Sequence, residues 1–164
     1  MSDGAPDDGV REPVAADDEV RWVAFVRADH RTGTVAALAG VFATRGVNFD
    51  GLSAGEAADE PGWVVVSFRA TPRRCRVLER SVGRLAAVHG VVVHRADDPA
   101  VRAVAVLHEA PGTGRVPAAG AAVRWSGDGP LVVEGPLAEV ERAVAAAHRD
   151  GVRTATLVVP PPDV

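Results

Sequence analysis

The run Asp29-His30-Arg31-Thr32-Gly33-Thr34 combines ionisable groups, hydroxyls and a glycine, and Gly46-Val47-Asn48-Phe49 follows it about one helix length later. A glycine at a strand-to-helix turn lets a ligand approach the backbone closely. The N–H groups of the following helical turn face that space and favour an anion such as a carboxylate. Asn48 offers both a donor and an acceptor, which suits the ammonium and carboxylate of an α-amino acid. A plainer reading fits the same residues: Gly33 as a turn residue, Thr32 as a helix cap and Asn48 as a loop residue. Spacing alone leaves both readings open.

The other chemically capable residues point to less. Cys75 sits in the first turn of an expected helix beside Arg73, Arg74 and Arg76, a setting that lowers a thiol pKa, although an inert cysteine is the simpler reading. The five histidines, His30, His89, His94, His108 and His148, include no i, i+4 pair, and no HExxH-like spacing occurs, so no metal site is expected. His89 is placed at a helix end, where the dipole suits a cation. There is no GxSxG nucleophile elbow. Pro111-Gly112-Thr113-Gly114-Arg115 is a lone GxG without a helix after it, read as a flexible bridge rather than a phosphate cradle. Arg73, Arg74, Arg76 and Arg80 read as a solvated helix face relieved by Glu79.

Composition narrows the classes further. With 47% hydrophobic and 24% charged residues, the chain can bury a core. Lys, Ile, Tyr and Gln are absent and all 18 basic residues are Arg, a bias expected of a GC-rich coding sequence. Residues 1–20 hold seven acids against Arg11 alone, which reads as a disordered acidic tail. The remainder, 17 Arg against 15 acids, is too nearly neutral to suggest nucleic acid. Trp22 with Phe25, and Trp63 with Phe68, lie at odd spacings, so each pair should split across two sheet faces rather than form a stacking platform. A single cysteine allows no internal disulfide and suits a reducing cytoplasm. No apolar run is long enough for a membrane span, and the N-terminus lacks a signal-peptide pattern.

The elements that must position the turn follow from periodicity. Residues 21–27 read as a strand. Val35, Leu38, Ala39, Val41 and Phe42 recur at helical spacing, and the helix is expected from about Gly33 to Arg45, closed by Gly46. Val47 to Ser53 is a second strand, residues 56–62 a turn-rich loop and residues 63–70 a third strand. Thr71-Pro72 opens a second helix whose stripe runs through Val77, Leu78, Val82, Leu85 and Val88, and residues 91–94 form the fourth strand. Strand, helix, strand, strand, helix, strand gives a ferredoxin-like α+β sheet with both helices on one face. Residues 101–160 read as strand, loop, strand, strand, helix, strand, with a hairpin at Ser126-Gly127-Asp128-Gly129. This resembles the first half with its first helix deleted.

The stretch from Asp29 to Phe42, then Arg45-Gly46-Val47-Asn48-Phe49-Asp50-Gly51-Leu52-Ser53, resembles the opening of an ACT domain, most of all that of the regulatory (small) subunits of acetolactate synthase. Asp59-Glu60-Pro61-Gly62 and Val82-Gly83-Arg84-Leu85-Ala86-Ala87-Val88 are similar too. The resemblance covers 21–97 and extends faintly to 101–160. It implies a homodimeric, non-catalytic module without cofactor or metal. Such modules hold a small amino acid, often valine, at the dimer interface, on behalf of a separate catalytic subunit. The Gly33 turn of one copy and the Asn48 strand of the other would form the pocket, from His30, Thr32, Gly33, Thr34, Val35, Val47, Asn48 and Phe49, with Leu38 near the ligand's side chain. His30 stands where that family commonly has Asn, and Trp63-Val64-Val65-Val66 where it commonly has a Ser-Arg pair. A second class of function is a ligand-free assembly partner that stimulates an enzyme by contact, which exposed apolar edge strands would favour.

Overall fold

A computed structural model describes residues 18–57, 60–108, 122–124, 130–149 and 151–161. The expected acidic tail, the bridge at 110–119 and the turn at 126–129 lie outside the described residues, apart from Asp18, Glu19 and Val20. Strand β1 (Val20–Ala28) is buried on both faces, with Ala24, Val26 and Ala28 on one and Val23 and Phe25 on the other. Helix α1 (Thr34–Thr44) starts from Gly33 at φ 92° and turns Leu38 and Phe42 onto the first of these faces. Strands β2 (Phe49–Ala57) and β3 (Glu60–Ala70) form a hairpin. Helix α2 (Pro72–Val82) follows, with Thr71 Oγ1 accepting from the Arg74 N–H at 3.3 Å and Cys75, Leu78 and Val82 turned inward. Strand β4 (Val88–Arg95) closes an antiparallel sheet of order β2-β3-β1-β4.

Strand β2 starts two residues later than expected and β4 three residues earlier, and two larger differences concern the loop after β2 and the end of α2. The turn-rich loop expected at 56–62 is mostly strand, because Ala57 pairs with Glu60 and Gly55 with Trp63. The register shift between those pairs accommodates Pro61, which cannot donate to a regular ladder. Gly62 is required there: a Cβ on it would lie 2.7 Å from the Gly55 carbonyl oxygen. The second difference is that α2 stops at Val82 rather than running to Val88. Arg84, Leu85 and Val88 N–H groups then donate three residues back, to Ser81, Val82 and Leu85. Consecutive tight turns satisfy the same apolar spacing as a helix, so periodicity extended it too far. His89 therefore lies on β4 and not at a helix end.

The second half repeats the plan. Strands β5 (Arg102–His108), β6 (Ala122–Arg124), β7 (Leu131–Pro136) and β8 (Arg153–Val159) form an antiparallel sheet of order β6-β7-β5-β8, the same sequential pattern as the first. Helix α3 (Leu137–Arg149) covers it through Leu137, Val140, Ala143 and Ala147. Val23, Phe25 and Val65, on the first sheet's face away from α1 and α2, belong to this second core. Trp22 packs on the helix-side core and Phe25 in the other, while Trp63 and Phe68 divide the opposite way, as their odd spacings predict. Among the described residues no helix is long and apolar enough to cross a membrane.

Candidate functional site

The site begins where β1 ends. The Asp29 N–H donates to the Ala87 carbonyl at 2.8 Å, tying the turn to the segment that leads into β4. The Asp29 carbonyl accepts from the Arg31 N–H and from Thr34 Oγ1, both at 3.0 Å. The Asp29 carboxylate accepts from His89 Nε2 at 2.6 Å and lies 3.5 Å from Arg31 Nε. The His89 hydrogen bond, aided by the charges of His89 and Arg31, holds this carboxyl below its usual range against a smaller desolvation effect.

This bracing sets the conformation of Gly33. Its φ of 92° and ψ of −15° are left-handed, a region that a Cβ penalises. Gly33 itself is the helix N-cap and no side chain caps α1, so Thr32 does not fill the capping role. The Thr34 N–H already donates to the Arg31 carbonyl at 3.2 Å, which removes it as a ligand donor. The next amides in the first turn, those of Val35 and Ala36, are the positions a helix start leaves for an outside acceptor. A cleft of about 380 Å³ opens here, walled by Arg31–Thr34 and Ala37 on one side and by Leu85–Val88 on the other. Its apolar wall, one guanidinium and the positive end of α1 suit a small molecule with a carboxylate and an aliphatic part.

The eight expected site residues divide into groups. His30, Thr32 and Gly33 are exposed at the turn, and Thr34 is buried there. Val35 is exposed on α1. Leu38 and Val47 lie in the core between α1 and the sheet. Phe49 is half-buried, edge-on to Phe42 at a centroid distance of 4.9 Å. Asn48 is exposed just beyond the far end of α1. Eleven helical residues span about 16 Å. One copy of the chain therefore does not bring Asn48 to the Gly33 turn.

Asp29, Arg31 and His89 brace the site, and Leu85–Val88 form its second wall, although none of these was among the expected site residues. The Leu85–Val88 wall was hidden because its spacing continues the α2 stripe. Cys75 is buried, and desolvation together with the Glu79 charge pushes its thiol up to about 12 despite Arg76, which overturns the reactive reading. Arg73, Arg74, Arg76 and Arg80 are exposed, as a solvated face requires. Among the described residues no group of three or more His, Cys, Asp or Glu could hold a metal ion.

No family model matches the sequence, and no curated protein matches it. Solved structures do match. The acetolactate synthase small subunit from Thermotoga maritima aligns with a TM-score of 0.55 at 13% identity, over 86% of this chain and 98% of that one. A homoserine dehydrogenase from Thiobacillus denitrificans aligns with a TM-score of 0.42 at 16% identity, over 49% of this chain but only 18% of that one. The regulatory subunit of aspartate kinase from Thermus thermophilus aligns with a TM-score of 0.45 at 16% identity, over 82% of this chain and 97% of that one. On its sheet order, its helix placement and the first of these matches, the chain has the ferredoxin-like, ACT-type fold.

Proposed function

We propose that this chain is a non-catalytic cytoplasmic regulator that binds a small amino acid between two copies of itself. A branched-chain amino acid such as valine is favoured, and a separate biosynthetic enzyme such as acetolactate synthase is the target. The observation that carries this reading is the left-handed Gly33 turn opening onto an apolar cleft at the positive end of α1. The ligand carboxylate takes the Val35 and Ala36 amides of the first turn of α1, beside Arg31. His30 of the same copy and Asn48 of the second take the polar end, with the exposed Val35 near the aliphatic part. The effector unit is 21–97, and 101–160 is a shortened second unit. A ligand bridging two copies stabilises one dimer arrangement over others, and the bound enzyme responds to that difference. The likeness to an acetolactate synthase small subunit, 98% of which is covered, supports the choice of target.

One observation favours a second reading, a ligand-free assembly partner. Edge strand β8 exposes Leu157 at 53% and Val159 at 37%, and an open apolar edge can pair with another chain. Thermal melting against each of the twenty amino acids at millimolar concentration separates the two, because binding to the native state raises the melting point. The sensor reading expects a selective rise that Asn48→Ala diminishes by removing the turn-site component. Because Asn48 is exposed, the variant's own stability should change by no more than about 0.5 kcal/mol. No rise with any amino acid supports the assembly reading instead.

A further inference from the structure

We propose that the cleft between the two halves of one chain is a separate binding site for a small zwitterionic α-amino acid. It lies on the first sheet's face away from α1 and α2, so it is distinct from the Gly33 turn and needs no second copy. A β-bulge builds it. Phe49 pairs with Phe68 and Gly51 with Ser67, which leaves Asp50 as the extra residue of β2. Bulges re-aim side chains, and here the Asp50 carboxylate lies 3.8 Å from Arg21 Nε and 3.6 Å from Arg69 Nε. From the other half, Glu141 on α3 accepts from Arg21 Nη1 at 2.5 Å.

The resulting space is about 230 Å³, with Val65, Leu137 and Ser67 among its lining. A Cβ at position 51 would lie 3.0 Å from Ser67 Oγ, so a side chain there would press on this wall. The four charges alternate and sum to zero. They neutralise one another across the cleft, and they match a ligand that carries one charge of each sign. The ammonium takes the place of Arg21 between Asp50 and Glu141, the freed guanidinium takes the carboxylate, and a small side chain rests on Val65 and Leu137. A ligand held this way touches both halves, so its binding is coupled to their packing.

Isothermal titration of the full chain with L-alanine, L-serine and L-valine tests the proposal in four forms: wild type, Gly33→Asp, Asp50→Asn and Glu141→Gln. Gly33→Asp puts a carboxylate at the turn and disables that site alone. The expected result is that Gly33→Asp still binds at least one of the three at one site per chain. Asp50→Asn and Glu141→Gln should each weaken that site about tenfold or more, since each removes one charge-assisted partner. The two variants lie on different elements, so misfolding of one leaves the other informative. The proposal is overturned if Gly33→Asp binds none of the three, or if both charge variants bind as wild type does. The first result with normal binding by wild type and Glu141→Gln would leave the turn-site reading standing. Binding lost only in the charge variants would support the cleft and count against the turn.

Discussion

Asp29 holds the Gly33 turn from two directions, through its backbone to Ala87 and Thr34 and through its carboxylate to His89. The sign of its pH effect follows from the hydrogen bond to His89, which lowers the carboxyl's folded pKa. Such a group adds stability above the ordinary carboxyl pKa, about 4, and loses it as pH falls through the depressed folded value. His89→Ala should therefore melt below wild type at pH 5 to 6, and the gap should narrow as pH falls below about 4. Melting curves of both proteins across that range check this, and a gap that widens in acid would contradict it. At this scale residue types were legible and surroundings were not. Gly33 and Asn48 were chosen for chemistry their types allow, and both sit at exposed turns or strand starts. Leu38 and Val47 were placed near a ligand, but they face the core, because an apolar residue next to a motif looks the same in either role. His89 was misplaced because its pairing with Asp29 spans 60 positions, beyond the reach of any local pattern.

Strand β1 is the element on which both cores depend. Its even positions from Ala24 to Ala28 pack under α1 and α2, and Val23 and Phe25 join the core of α3 and the second sheet. Phe25 is 1% exposed. Phe25→Ala should cost about 3–5 kcal/mol by transfer and cavity terms, read as a lower urea midpoint. A loss under about 1 kcal/mol would show that the second half does not pack there. Elements with local stop signals were legible: Thr71-Pro72 starts α2, and Gly46 at φ 62° closes α1. The end of α2 was not, because tight turns after Gly83 keep Leu85 on the same apolar stripe. The β2–β3 turn was also overextended. Pro61 and Gly62 read as loop residues, but the bulge and the close approach of the Gly55 carbonyl place them in a strand.

At the scale of the whole chain, two sheets share one sequential order, and residues 109–121, between β5 and β6, lie outside the described residues. The repeat was legible because both halves carry the same succession of apolar runs and turns. That the second half covers the first sheet's far face was not, since alternation in β1 reports burial on each face without naming the cover. The central claim concerns two chains: the Gly33 turn and Asn48 lie at opposite ends of α1, so a shared ligand requires a second copy. Subunit mixing tests this most directly. Gly33→Asp and Asn48→Ala each disable every site between like copies, but a mixed dimer restores one intact site and concentrates both lesions in the other. With the amino acid that shifts wild-type melting, each variant alone should lose the turn-site component of binding by titration calorimetry. The equilibrated mixture should regain it at about one site per mixed dimer. A mixture that recovers no binding beyond that of its components, while wild type shows the turn-site component, would contradict a site built from two copies.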